Sequence, residues 1–226
     1  MKRMRRGRSK VILVLGGAAS GKSQRALDLA RGLVPGTDAL LPGVCPSSAG
    51  DRHRLRRSQS PAPVPVRRGQ APRADAGKGF SPRFAFVATG EALDPEMEER
   101  ITRHQASRSL DWHTAEVPVE LAQWFSEHGQ YYQVVVLDCL TLWLSNLRRA
   151  RVPEAVVSDR VSELLRAMRK SPPRVVIVSN ELGMGLVPVG RAVRKFRDLA
   201  GKVNQQVAAE ADEVYLVVSG QPLRLK

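Results

Sequence analysis

A glycine-rich segment near the start of the chain constrains its fold more than any other feature. Residues 16–23 read GGAASGKS and match G-x-x-x-x-G-K-[ST] at every fixed position. The apolar run 11–15 before it predicts a buried strand, and 24–33 after it predicts a helix. Main-chain N–H groups in such a turn can surround a polyphosphate at a helix N-terminus. The sequence therefore predicts a P-loop that binds a nucleoside triphosphate.

Each residue of this loop is a predicted nucleotide-binding position. In such loops the lysine reaches the outer phosphates and the hydroxyl that follows it binds Mg²⁺. Lys22 and Ser23 are the residues predicted for these two roles, with Lys22 also a catalytic candidate. The predicted loop residues are Gly16, Gly17, Ala18, Ala19, Ser20, Gly21, Lys22 and Ser23.

The length and the charge distribution limit the function classes. A chain of 226 residues is long enough for one α/β core. The net charge is +14, but residues 84–226 balance eighteen basic against eighteen acidic side chains. The excess lies in residues 1–10 and 35–83, outside the predicted folded body, and this argues against specific nucleic-acid binding. A nucleotide-gated polyanion binder that uses these two segments stays open as an alternative.

The domain organisation follows from composition. Residues 35–83 are rich in Pro, Ser and Arg without any period, so they cannot bury enough apolar surface to offset their ordering entropy. We predict a basic tail over 1–10 and one domain over 11–226, interrupted by a disordered insert at 35–83. Two cysteines form neither a disulfide framework nor a metal cluster, and Cys139 is expected to be a small buried residue.

The location of the protein is also predicted. No apolar stretch approaches the roughly 20 residues of a membrane span. The apolar run 11–15 is too short for a signal-peptide core and leads straight into the P-loop, so we expect a cytoplasmic protein.

Apolar strands alternate with helices along the rest of the chain. This pattern predicts an α/β fold with a mostly parallel sheet and helices on both faces. In the last helix we expect Val193, Phe196, Ala200, Val203 and Val207 to form the core stripe. Further strands are predicted at 84–89, 132–138, 174–179, 213–218 and 222–225, and further helices at 94–107, 121–128, 154–170 and 190–211.

Two acidic residues follow predicted strands. Asp138 ends one of them and has the form of a Walker B acid, which helps to hold Mg²⁺ beside the P-loop hydroxyl. Glu181 follows another, at the carboxyl edge where open α/β sheets bind ligands. On these residues alone, Glu181 is equally consistent with a metal or hydroxyl ligand and with an acid that only caps a turn.

Three residues at four-residue steps form a stripe on the helix predicted from 94. They are Arg100, His104 and Arg108. Two guanidinium groups beside an imidazole favour its neutral, nucleophilic form, and both can bind phosphate oxygens. On spacing alone, a surface or packing role for His104 is the commoner outcome.

Several blocks in order resemble one family, the bifunctional adenosylcobinamide kinase / adenosylcobinamide-phosphate guanylyltransferase of cobalamin biosynthesis. They include RITRH at 100–104 and NELGMG at 180–185. The remaining blocks are 13–23, 88–89, 94–97, Arg108, Trp112, 114–116, 137–143, Asn146, 178–179, 196–205, 211–214 and 218–220. The P-loop alone is generic, whereas the ordered set is specific.

This resemblance implies a concrete activity. Such enzymes phosphorylate adenosylcobinamide with ATP or GTP, then transfer GMP from GTP through a guanylylated histidine that His104 matches. The family is RecA-like, uses Mg²⁺ and forms trimers. Residues 35–83 and the basic tail depart from the family pattern. The enzyme alternative is another P-loop small-molecule kinase without a covalent intermediate.

Overall fold

The computed structural model describes residues 9–32, 84–106, 112–170 and 174–226. These residues form an α/β domain. The strands are β1 (Val11–Gly16), β2 (Phe84–Ala88), β3 (Trp112–Glu116), β4 (Val134–Asp138), β5 (Arg174–Asn180), β6 (Glu213–Val218) and β7 (Gln221–Arg224). The α-helices are α1 (Lys22–Gly32), α2 (Pro95–Ala106), α3 (Leu121–His128), α4 (Leu140–Arg149), α5 (Val157–Lys170) and α6 (Arg191–Glu210), with short 3₁₀ helices at Gly129–Tyr131 and Glu154–Val156.

The seven described strands form one sheet in the order β3-β2-β4-β5-β1-β6-β7. Every neighbouring pair is parallel except β6 and β7, which are antiparallel. Strand β5 lies between β1 and β4, with Asn180 opposite Gly16 and Val178 opposite Asp138. The P-loop and Asp138 therefore leave the sheet at the same edge, one strand apart.

Helices cover both faces of the sheet. Helices α3 to α6 pack on one face, over buried residues such as Leu13, Leu137 and Ile177. Helix α1 packs on the other face, over Val14, Val136 and Val178. The α/β class predicted from the sequence is confirmed in three features: a mostly parallel sheet, helices on both faces and a P-loop between β1 and α1.

Most predicted elements agree with the structure within a few residues. Helix α2 begins at Pro95 as predicted, and the Glu98 N–H donates to the Asp94 carbonyl oxygen at 3.0 Å. One expected core residue of α6 is wrong, because Val193 is 54% exposed. It lies in the first turn of the helix, next to the exposed loop that ends at Gly190, whereas Ala200, Val203 and Val207 are buried.

The N-terminal end of β1 is tied to the rest of the domain. The Lys10 ammonium lies 2.6 Å from the Glu213 carboxylate, and Arg169 donates to the Ser9 carbonyl oxygen at 2.5 Å. The predicted insert at 35–83 lies outside the described residues. In the described part of the chain, no helix has both the length and the apolar character needed to cross a membrane.

Candidate active site

The P-loop links β1 to α1 with its main chain open to solvent. Residues 17–19 and Gly21 are exposed. The Ser20 N–H donates to the Gly17 carbonyl oxygen at 3.3 Å and closes the turn. Ala19 and Gly21 have positive φ angles of 54° and 89°. An open turn at the start of an eleven-residue helix is the backbone form that binds phosphate.

Two contacts hold this loop in place. The Lys22 ammonium donates to the Gly17 carbonyl oxygen at 2.9 Å, so the side chain folds back over its own loop. The Gly220 N–H, in the turn between β6 and β7, donates to the Ser20 carbonyl oxygen at 2.9 Å. The loop is therefore supported from both sides, by its own lysine and by the C-terminal hairpin.

Asp138 ends β4 on the face of the sheet that carries α1. It shares this face with Val134 and Val136, since side chains two residues apart on a strand point the same way, and these two valines pack in the core cluster of α1. Burial, and after it the charge of Asp138, raise the pKa of the neighbouring Cys139 thiol to about 12, against a smaller lowering effect that includes the charge of Lys22. Asp138 and Lys22 thus both act on the Cys139 thiol, because they lie at the same end of the sheet.

The donor set here fits Mg²⁺. The Ser23 hydroxyl, in the first turn of α1, and the Asp138 carboxylate are both half-buried oxygen donors. Mg²⁺ is usually held by one or two carboxylates together with substrate phosphates and water. Among the described residues no group of three or more His, Cys, Asp or Glu side chains could hold a metal ion by itself.

Glu181 lies beside the P-loop, and its carboxylate faces its own turn. Its N–H donates to the Gly16 carbonyl oxygen at 3.0 Å, and its Oε1 accepts a hydrogen bond of 2.7 Å from the Gly183 N–H. Of the two interpretations that the sequence left open, the turn-capping role is the one this geometry favours.

The predicted histidine stripe is only partly described. Arg100 and His104 are one helical turn apart on α2, and their side chains lie outside the described part. Arg108 lies outside the described residues altogether. Helix α2 follows β2 at the carboxyl edge of the sheet, and the side chains of Ile101 and Leu142 both lie near Gly90.

Sequence reasoning included several buried polar side chains beneath this edge among the family blocks but gave them no role. Asn204 of α6 accepts from the Ser179 hydroxyl at 2.7 Å and donates to the Asn180 carbonyl oxygen at 3.1 Å. Asn146 of α4 donates to the carbonyl oxygens of Thr89 and Pro118. One signal for Asn204 was available, because it lies between Ala200 and Val207 on the apolar stripe of its helix.

Comparison with known proteins identifies the family. A family model described as cobinamide kinase / cobinamide phosphate guanyltransferase matches residues 65–225. The chain belongs to this family. The match begins beyond the P-loop and extends through β7. The resemblance inferred from the ordered sequence blocks is therefore confirmed.

Curated relatives carry names that agree with the cobinamide kinase / guanyltransferase family. The bifunctional adenosylcobalamin biosynthesis protein CobU of Salmonella typhimurium is 37% identical over 173 residues, which cover 71% of this chain and 96% of the relative. The CobU protein of Escherichia coli gives the same figures. The CobP protein of Pseudomonas aeruginosa is 37% identical over 142 residues, which cover 63% of this chain and 82% of the relative.

Two solved structures are also similar. A KaiC-like protein from Pyrococcus horikoshii has 8% sequence identity and a TM-score of 0.44, covering 92% of this chain and 71% of its own. The flagellar accessory protein FlaH from Methanocaldococcus jannaschii has 12% identity and a TM-score of 0.44, covering 97% of this chain and 79% of its own.

Proposed function

We propose that this chain phosphorylates adenosylcobinamide with a nucleoside triphosphate and then transfers GMP from GTP to the product, giving adenosylcobinamide-GDP. The observation that carries the proposal is a P-loop with Lys22 and Asp138 at the same end of the sheet, in a chain of the cobinamide kinase / guanyltransferase family. Its substrates are adenosylcobinamide, ATP and GTP.

In the kinase half, the P-loop holds the phosphates of the nucleotide. The main-chain N–H groups of residues 17–21 bind phosphate oxygens, and Lys22 exchanges the Gly17 carbonyl oxygen for an outer phosphate. Ser23 and Asp138 hold the Mg²⁺ that neutralises charge on the phosphates. The corrinoid hydroxyl then attacks the terminal phosphorus, and the nucleoside diphosphate leaves.

In the guanylyltransferase half, His104 is the nucleophile. A neutral imidazole nitrogen attacks the α-phosphorus of GTP, so that an N–P bond forms, the bond to the β-phosphate oxygen breaks and pyrophosphate leaves. A phosphate oxygen of adenosylcobinamide-phosphate then attacks the same phosphorus and releases His104. Arg100, one helical turn before His104 on α2, and Arg108, four residues after it in the sequence, are the proposed cationic partners for the phosphates.

Intact-protein mass spectrometry tests the guanylyltransferase half. The full chain is incubated with Mg²⁺ and GTP, with ATP as the nucleotide control and His104→Ala as the variant control. We expect a GMP adduct that requires both GTP and His104. An adduct that persists in His104→Ala assigns the nucleophile to another residue. No adduct, from protein shown to bind GTP, leaves a P-loop kinase without a covalent step.

Phosphorylation of cobinamide tests the kinase half. Lys22→Ala is expected to lower kcat by at least ~100-fold, since it removes a cation from the transferred phosphate. Gly201→Ala is a matched control, because a Cβ at this position on α6 meets no atom within 4 Å. Unchanged kinase activity in Lys22→Ala would exclude the P-loop as the site of phosphoryl transfer.

We also infer that the chain forms a homo-oligomer, a trimer by family resemblance. The loop from β5 to α6 carries large apolar side chains in solvent: Met184, Leu186, Val187 and Val189 are 69–97% exposed. Several large apolar side chains exposed along one loop in this way are typical of interfaces. Sedimentation of the full chain and of Leu186→Asp tests this, and a wild-type chain that sediments as a monomer at micromolar concentration would contradict it.

A further inference from the structure

Asn180 begins the NELGMG block, but neither that block nor the P-loop chemistry gives its side chain a role. It is the last residue of β5, the strand between the P-loop strand β1 and the Asp138 strand β4. In the register of the sheet Asn180 lies opposite Gly16 of β1. Asp138 of β4 lies opposite Val178, which is two residues before Asn180. Asn180 is therefore placed between the two elements of the proposed phosphate site.

The Asn180 side chain points to the face of the sheet that carries α1. Along β5 it lies on the same face as Val176 and Val178, which pack in the core cluster of α1. Its amide nitrogen lies 3.9 Å from the Sγ of Cys139, which belongs to the same cluster. The Cys139 thiol is also within electrostatic reach of Lys22 and Asp138. The amide thus lies on the same face as the P-loop and among the residues that define the end of the phosphate site.

The main chain of Asn180 is rigidly held, whereas its side chain is not. Its N–H donates to the Thr141 hydroxyl at 3.0 Å, and its carbonyl oxygen accepts from the Asn204 amide at 3.1 Å. Thr141 and Asn204 are 7% and 5% exposed. In the described part of the chain, the only hydrogen bond of the Asn180 side chain is the long one to sulfur, a weak acceptor. A buried framework therefore holds in place an amide with unused hydrogen-bonding capacity.

We propose that the Asn180 side-chain amide donates a hydrogen bond to the terminal phosphoryl group of the bound nucleoside triphosphate. The inference rests on the proposed function, because it requires a nucleotide in the P-loop. The P-loop lysine reaches the outer phosphates, so the terminal phosphate lies at the end of the sheet where Lys22 and Asp138 converge. An amide N–H at this point adds a donor to the phosphate and carries no charge of its own.

The contact predicts discrimination between nucleotides. A bond to the terminal phosphate exists with GTP and is lost with GDP, whereas a purely structural role for Asn180 affects both nucleotides equally. A hydrogen bond to a charged group makes a larger contribution than one between neutral groups. We expect Asn180→Ala to raise the Kd of GTP on the order of 10-fold and to leave the Kd of GDP within about 2-fold.

The test is isothermal titration of Mg²⁺-GTP and Mg²⁺-GDP into the full chain and its variants, all carrying His104→Ala so that no GMP adduct forms during the titration. Asn180→Ala and the nearly isosteric Asn180→Asp are compared with the wild type. The Asp variant places a carboxylate beside the phosphates, so we expect it to weaken GTP binding more than Ala does. Asn146→Ala is the matched control, because that amide donates to two carbonyl oxygens and is fully engaged in the fold. It is expected to lower Tm and to keep the wild-type ratio of the two Kd values.

The outcomes separate this inference from the function on which it rests. Equal changes for GTP and GDP in Asn180→Ala, or no change for either, would overturn the role of Asn180 while the P-loop site stands. Wild-type protein that binds neither nucleotide would overturn the proposed function and this inference with it. A selective loss of GTP affinity, with Tm close to that of the wild type, is the expected result.

Discussion

The main-chain N–H of Gly220 donates a hydrogen bond of 2.9 Å to the carbonyl oxygen of Ser20. This bond joins the turn of the C-terminal hairpin to the P-loop, although the two are 200 residues apart in the chain. The backbone approach is close, since a Cβ on Gly21 would lie 3.2 Å from the Gly220 Cα. The hairpin formed by β6 and β7 is therefore part of the support of the phosphate site.

Replacement of Gly21 by alanine should weaken nucleotide binding. Gly21 has a φ of +89°, a backbone conformation that costs an L-residue roughly 1–2 kcal/mol, and the new methyl group would press on Gly220. We expect the Kd of GTP to rise by at least ~10-fold in equilibrium titration. Gly201→Ala, with open space around its Cβ, should leave the Kd unchanged. Wild-type affinity in Gly21→Ala would show that the loop tolerates the displaced hairpin.

The P-loop and most regular elements could be predicted because their signals are local. The spacing of glycines with Lys22, the apolar run before Asp138 and the proline that opens α2 at Pro95 each act within a few residues. Two elements escaped. Strand β3 (Trp112–Glu116) is short and only half apolar, and α4 (Leu140–Arg149) lacks a local start signal because its N-cap, Cys139, makes no side-chain capping bond.

The buried polar framework could not be predicted, because its bonds connect residues far apart in sequence. The Asn204 amide meets Asn180 across 24 residues, and the Cys139 N–H donates to the Thr89 hydroxyl across 50. Such pairings depend on the strand order, which local patterns do not encode. The sequence blocks contain these residues, but the bonds between them are made by the fold.

Truncation of Asn204 should destabilise the domain. The side chain is 5% exposed and holds both Ser179 and Asn180, so Asn204→Ala leaves a buried hydroxyl and a half-buried carbonyl oxygen each without one partner. We expect a loss of about 2–3 kcal/mol in the free energy of unfolding, measured with urea. Gln205→Ala, an exposed neighbour on the same helix, should change stability by less than ~0.5 kcal/mol. A loss equally small in Asn204→Ala would mean that water replaces the amide.

Cys139 should be chemically inert in the folded protein. The thiol is 4% exposed and burial raises its pKa to about 12, so the nucleophilic thiolate is nearly absent at pH 8. We expect iodoacetamide to leave Cys139 unmodified in native protein and to alkylate it in guanidinium chloride, as read by peptide mass spectrometry. Fast native labelling at Cys139 would reveal opening of the sheet edge beside Asp138.

Glu213 should make the stability of the domain depend on acidic pH. Its pKa is lowered from 4.5 chiefly by its hydrogen bond with Lys10, aided by the Tyr215 hydroxyl and the charge of Arg224. The unfolded chain therefore binds the proton at higher pH than the folded one. The stabilisation is complete above about pH 4.5 and is lost as the pH falls through the lower pKa of the folded state.

Urea unfolding of the wild type and Glu213→Gln at pH 7, 5 and 3 measures this contribution. We expect the stability difference between the two proteins to be largest at pH 7 and 5, and to shrink at pH 3, where the wild-type carboxylate becomes protonated. A difference that stays constant with pH would mean that the variant acts through packing of β6, and that the ion pair with Lys10 contributes no measurable stability.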